Sequence, residues 1–133
     1  MSAKMVVSLL FAALVAAPAV AGRPSVRIDA PRHGDTVEAR HPVTGTVSGS
    51  PADVWVIIRP RATRDYWVQA PVSVDEDGSW RVIGCFGEPG RDFGARYEVR
   101  AVVGPSMKLR EGLVLRGWPR AAASSSIHVV TRR

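Results

Sequence analysis

Five residues on one short stretch carry the chemistry most worth asking about: Arg59, Arg61, Arg64, Tyr66 and Trp67. An arginine beside an exposed aromatic ring binds planar groups through their faces, and its guanidinium adds charge. Sugars, nucleobases and a partner's side chains all qualify. The stretch is therefore a candidate ligand or partner edge. The plainer alternative is a core Trp67 flanked by solvated arginines.

Other reactive groups lack the company that catalysis needs. His33, His41 and His128 show no HExxH spacing and no paired cysteines, so no metal ligand set is expected and the histidines read as surface or strand-end residues. Asp75, Asp77 and Gly78 share only a fragment of a calcium loop, without its third oxygen ligand or its later bidentate glutamate. They read as a hairpin turn capped by its own carboxylates. Gly45-Thr-Val-Ser48-Gly49 has the wrong spacing for a serine nucleophile elbow. Cys85 is the sole cysteine, so no intrachain disulfide can form. A nucleophilic role would require a partner base and an electropositive niche, so a small apolar residue, buried or at an edge, is the simpler expectation. An intermolecular disulfide is the next use. Catalytic residues, metals and cofactors are therefore not expected.

The elements that must position the arginine–aromatic stretch are strands. The 133 residues suffice for one domain. Lys4, an apolar run from Met5 to Ala17, Pro18 and small residues at Ala19 and Ala21 give residues 1–21 the three-part form of a secretory signal cleaved before Gly22. The apolar run is too short for the roughly 20 residues of a membrane span. Residues 22–133 then form a secreted or periplasmic domain whose net charge is +5, one less than the chain's +6 because Lys4 is lost. Sixteen arginines against two lysines supply the positive charge, scattered rather than clustered, as on solvated outward strand faces.

Short alternating apolar runs begin at Ser25, Val43, Val54, Tyr66, Trp80, Tyr97 and Ser126. Turn signals separate them at intervals of about 8–12 residues, a pattern that predicts an all-β sandwich or barrel. Val54 to Arg59 is apolar on both faces and predicts a central strand, with Trp55 and Ile57 toward the core and Val54, Val56 and Ile58 on the face needing other cover. Gly45, in mid-strand, predicts close approach of a bulky side chain such as tryptophan. Residues 104–124 form a long connection, apolar enough to predict a short helix or loop packed over a sandwich edge.

Asp77-Gly-Ser-Trp80 resembles the turn and tryptophan that open a middle strand in bacterial immunoglobulin-like domains of secreted and surface proteins. Asp92-x-Gly94-x-x-Tyr97-x-Val99-x-Ala101 is similar to the strand after their tyrosine corner, with Val99 where an antibody domain places its second cysteine. Trp55 is similar to their inter-sheet tryptophan. The resemblance spans most of residues 25–131 and implies an immunoglobulin-like β-sandwich of seven to eight strands, used for adhesion, ligand display or spacing. The antibody-type cysteine pair is absent, and fold alone transfers no active site.

The expectation is a non-catalytic binding domain that recognises a protein or polysaccharide of the cell envelope through Arg59, Arg61, Arg64, Tyr66 and Trp67. Nucleic acid is not an expected partner, and membrane association is peripheral at most. The alternative is a small enzyme or inhibitor acting through residues 104–124.

Overall fold

The alternating runs pair into two predominantly antiparallel sheets that face each other. The structure, a computed structural model, describes residues 22–49 and 53–133; the expected signal segment, residues 1–21, and most of the turn expected at residues 49–53 lie outside them. Eleven strand segments follow in order: β1 (Ser25–Ala30), β2 (Thr36–Val37), β3 (Arg40–Ser48), β4 (Val54–Pro60), β5 (Tyr66–Val68), β6 (Ser73–Val74), β7 (Ser79–Cys85), β8 (Arg96–Pro105), β9 (Val114–Leu115), β10 (Ala121–Ser124) and β11 (His128–Arg132). Eight of the eleven are longer than two residues, matching the seven to eight strands expected.

The smaller sheet runs β1-β3-β7-β6 and the larger β2-β11-β8-β4-β5-β9. β10 pairs with β8 beyond the end of β11, on the edge that β4 leaves free. This is the strand order of an immunoglobulin-like sandwich, A-B-E-D against C-F-G, with extra strands at both ends of the second sheet. Between β10 and β11 the ladder breaks at the buried Ser125. Its hydroxyl accepts a hydrogen bond from the Ala101 N–H at 2.9 Å, replacing the carbonyl a regular strand would offer.

The inter-sheet core takes Val43 from β3, Val54, Val56 and Ile58 from β4, Trp80 and Val82 from β7, and Tyr97, Val99, Ala101 and Val103 from β8. Inward placement of Trp80, Val82 and the β8 residues follows the alternation seen in the sequence. For β4 the expectation is reversed. Trp55 and Ile57 face away from the opposite sheet, and Val54, Val56 and Ile58 fill the core. The reason is the polar company on the outer face: Arg59 shares the parity of Trp55 and Ile57, and their cross-strand neighbours include Arg100 and Glu98. Desolvating those charges between the sheets would cost several kcal/mol per ion. The inter-sheet tryptophan is thus Trp80 on β7, not Trp55.

The outer face bearing Ile57 is nonetheless dry. Residues 104–124 contain no helix; they fold back through β9 and pack Leu109, Leu113, Leu115 and Trp118 over Ile57, Val68 and Val102. Rather than capping a sandwich edge, the excursion covers a sheet face. A second, smaller core results.

Candidate binding cleft

Beside β5 the two sheets part. β5 is three residues long and β6 only two, and the chain between them, residues 69–72, crosses from the larger sheet to the smaller one. Pro71 has no N–H to give a ladder, which ends β6 pairing early. Below this crossing lies a cleft of about 1050 Å³, lined mainly by apolar side chains. Buried Ile58, Val82 and Tyr97 form its inner wall. Ala62 and Trp67 stand on the β4–β5 side, and Arg40, Ile83 and Cys85 on the β3–β7 side.

Two large apolar side chains at this opening remain in water: Trp67 is 43% exposed and Ile83 is 44% exposed. A cleft of that size, mostly apolar with a few convergent polar groups, has the character of a ligand or partner site. Arg40 and Arg81 line it too, both exposed, and neither has a carboxylate within 4.0 Å among the described residues. The opening is cationic on the β7 side.

Tyr97 contributes the one polar group of the inner wall. Its ring meets Phe86 edge to face at a centroid distance of 5.7 Å. Burial pushes its phenol above the ordinary tyrosine value, the Asp92 carboxylate adds to the rise, and the Arg132 guanidinium partly offsets it. Asp92 is held at φ 63° and accepts the Glu88 N–H at 3.0 Å, which fixes the carboxylate at the cleft's lower end. Arg132, 4% exposed, anchors the same loop by donating to the Phe86 and Glu88 carbonyls.

The five residues singled out in the sequence are split between two faces. Trp67 pairs with Ile58 and points to the cleft; Tyr66 is on the opposite face, against Trp118 at 4.8 Å. Arg59 lies 5.1 Å above the Tyr66 ring, bonded to Glu98 at 3.0 Å and to the Thr63 carbonyl at 2.9 Å. Arg100 stacks on Trp118 at 5.5 Å and donates to the Ser125 carbonyl. Arg59, Tyr66, Trp118 and Arg100 therefore form one internal stack that pins the excursion to the sheet. Arg61 and Arg64 are exposed, with Arg61 beside Arg96 at a small neighbouring hollow. Of the five, the cleft gathers Trp67 alone.

Against a comparison with protein-family models and with curated proteins, the chain matched none.

The cleft residues that sequence reasoning passed over are Arg40, Gln69, Arg81 and Ile83. One signal was present: with Trp80 and Val82 inward, Ile83 is an apolar residue on the outward parity of β7. Cys85 is exposed at the same opening rather than buried, and its N–H is bonded to the Gln69 side chain at 2.9 Å. Two of the histidines, His33 and His128, join the 31–34 turn to β11, and His41 serves a different turn. His33 accepts the Val129 N–H, His41 accepts the Glu38 N–H, and His128 Nδ1 lies 2.8 Å from the Pro31 carbonyl. Asp77 caps its own turn through the Ser79 N–H at 3.0 Å and hydroxyl at 2.6 Å.

Proposed function

We propose that this chain is a non-catalytic binding domain of the cell exterior or periplasm, and that it holds a protein partner in the cleft between its sheets. The observation that carries the reading is the pair of large apolar side chains, Trp67 and Ile83, exposed on either side of an apolar cleft of about 1050 Å³. Apolar surface that a domain leaves in water at a concave site gains most when a partner covers it. Polysaccharide fits less well. The aromatic pair best suited to stack on sugar rings, Tyr66 and Trp118, is consumed by its own edge-to-face contact and by Arg59 and Arg100. The exported location rests on the signal-like composition of residues 1–21.

The alternative of an enzyme or inhibitor working through residues 104–124 has less support, because Leu109, Leu113, Leu115 and Trp118 are engaged in covering the sheet. A test is capture from an envelope extract by the domain and by its Trp67→Ala/Ile83→Ala variant. Both side chains are over two-fifths exposed, so the variant should melt close to the parent. The reading expects the captured protein to be lost from the variant; equal capture at equal stability overturns it.

A further inference from the structure

We propose that the end of the sandwich where β4 and β11 finish and β8 begins docks on an anionic lipid surface, with Phe93 as the side chain that enters it. The inference concerns a different surface from the apolar cleft and does not depend on what the cleft holds.

Strand register gathers the charge. Pro60 pairs with Tyr97 and Thr131 with Arg96, so the β4–β5 loop, the start of β8, the loop before it and Arg133 all lie at this end. The Arg61 N–H bonds the Arg96 carbonyl at 2.9 Å, which sets these two residues side by side. Arg61, Arg64 and Arg96 are exposed, and none is bridged to a carboxylate among the described residues. The acids of the same end are already engaged. Glu38, Asp65 and Glu98 are bridged to Arg133, Arg116 and Arg59 at 2.8, 2.7 and 3.0 Å, Glu88 reaches Arg91 at 3.8 Å, and Asp92 lines the cleft. A positive excess remains. At the opposite end Arg23, Lys108 and Arg120 are offset by Asp53, Asp75, Glu76 and Asp77.

Phe93 supplies the apolar element. At 67% it is the most exposed large apolar side chain among the described residues. A tight turn presents it: Gly90, Asp92 and Gly94 have φ of 75°, 63° and 80°. The Ala95 N–H bonds the Asp92 carbonyl at 3.0 Å, and the Gly94 N–H bonds the Arg132 carbonyl at 2.8 Å. The buried Arg132 guanidinium lies 5.3 Å from the centre of the phenyl ring and supports it from below. The ring is thus held in water by a fixed loop.

A membrane surface satisfies both features at once. Lipid phosphates attract arginines that come within a Debye length. Long arginine stems let the charged heads stay at the phosphate level, while a phenyl ring just beyond them gains by leaving water. A soluble polyanion offers only the first of these, and would leave Phe93 as exposed as before.

The test is co-sedimentation of residues 22–133, which hold the whole of both sheets, with vesicles of equal parts phosphatidylglycerol and phosphatidylcholine at low ionic strength. The domain should sediment with these, stay in solution with phosphatidylcholine alone, and be released by salt. Arg61→Gln/Arg64→Gln/Arg96→Gln should weaken binding on the order of a hundredfold, and replacing the same three by Lys should largely restore it. Phe93→Ala should weaken it about tenfold. Should that variant melt early, Phe93→Trp reads the same contact, as blue-shifted emission over the parent on adding vesicles. Trp67→Ala/Ile83→Ala should bind as the parent does. Failure to sediment with the anionic vesicles overturns the proposal. So does undiminished binding by Phe93→Ala with no shift from Phe93→Trp, which would leave a site for soluble polyanions. Loss of binding in the Trp67→Ala/Ile83→Ala variant would move the contact to the cleft and overturn it equally.

Discussion

Gly45 on β3 and Trp80 on β7 are direct cross-strand partners, and the indole lies in the space a Cβ at Gly45 would occupy. The pairing explains why a strand tolerates glycine at its centre. The tryptophan, 2% exposed, needs its neighbour's missing side chain in order to lie flat within the core.

Gly45→Ala would drive a methyl into both the Trp80 ring and the Arg27 carbonyl oxygen. Since one of these is backbone, relief requires moving β1. The expected loss is about 2–3 kcal/mol, at the upper end for overpacking, read as a shifted urea midpoint with the slope unchanged. Trp80→Ala should cost about 3–5 kcal/mol.

The excursion is structural cover for Ile57, Val68 and Val102, so weakening it should destabilise the whole domain. Leu109→Ala, at a residue 5% exposed, is expected to cost about 2–4 kcal/mol. Deleting residues 107–118 should abolish cooperative unfolding. A deletion variant that melts like the parent would show that the outer face does not need cover.

Tyr97 should ionise later than a free phenol. Its pKa is raised in the fold, by burial first and Asp92 second. The associated stability is therefore complete below the ordinary phenol value of about 10 and is lost as pH climbs through the higher folded value. With only two tyrosines present, phenolate absorbance should resolve a late step, and Asp92→Asn should move that step earlier. A Tyr97 that titrates with the unfolded chain would contradict its placement.

Asp77 behaves oppositely. The Ser79 hydroxyl and then the Ser79 N–H hold its carboxyl below the ordinary value. The stabilisation of the β6–β7 turn is present above the unfolded aspartate value and fades as pH falls through the lower folded one. Carboxyl NMR titration should show the depressed midpoint, and Ser79→Ala should raise it.

Much of the sandwich is legible in the sequence, because alternation marks inward residues wherever one face is polar. The β8 run from Tyr97 to Val103 and the Trp80–Val82 pair are examples. Alternation fails at β4, where both faces are apolar; the deciding cue is Arg59, whose parity marks its face as outer. That a bulky side chain packs on Gly45 is readable from the glycine's position; that it is Trp80 follows only from the β3–β7 register. The cleft is not readable. It depends on where the 69–72 crossing lands and on how early Pro71 ends a ladder, which are properties of the assembled sheets. The separation of Tyr66 from Trp67 is simple strand parity, and it divides a patch that looks continuous on paper.

The most direct measurement of the central claim, that the cleft is where this domain holds a protein, is site-specific photo-cross-linking in an envelope extract. A cross-linking side chain is placed at Ala62, in the cleft, and in a second preparation at Ala122, exposed on β10 beyond the far edge of β8. A discrete adduct from position 62 and none from position 122 is the predicted result. Adducts from 122 alone, or equal labelling from both, would contradict it.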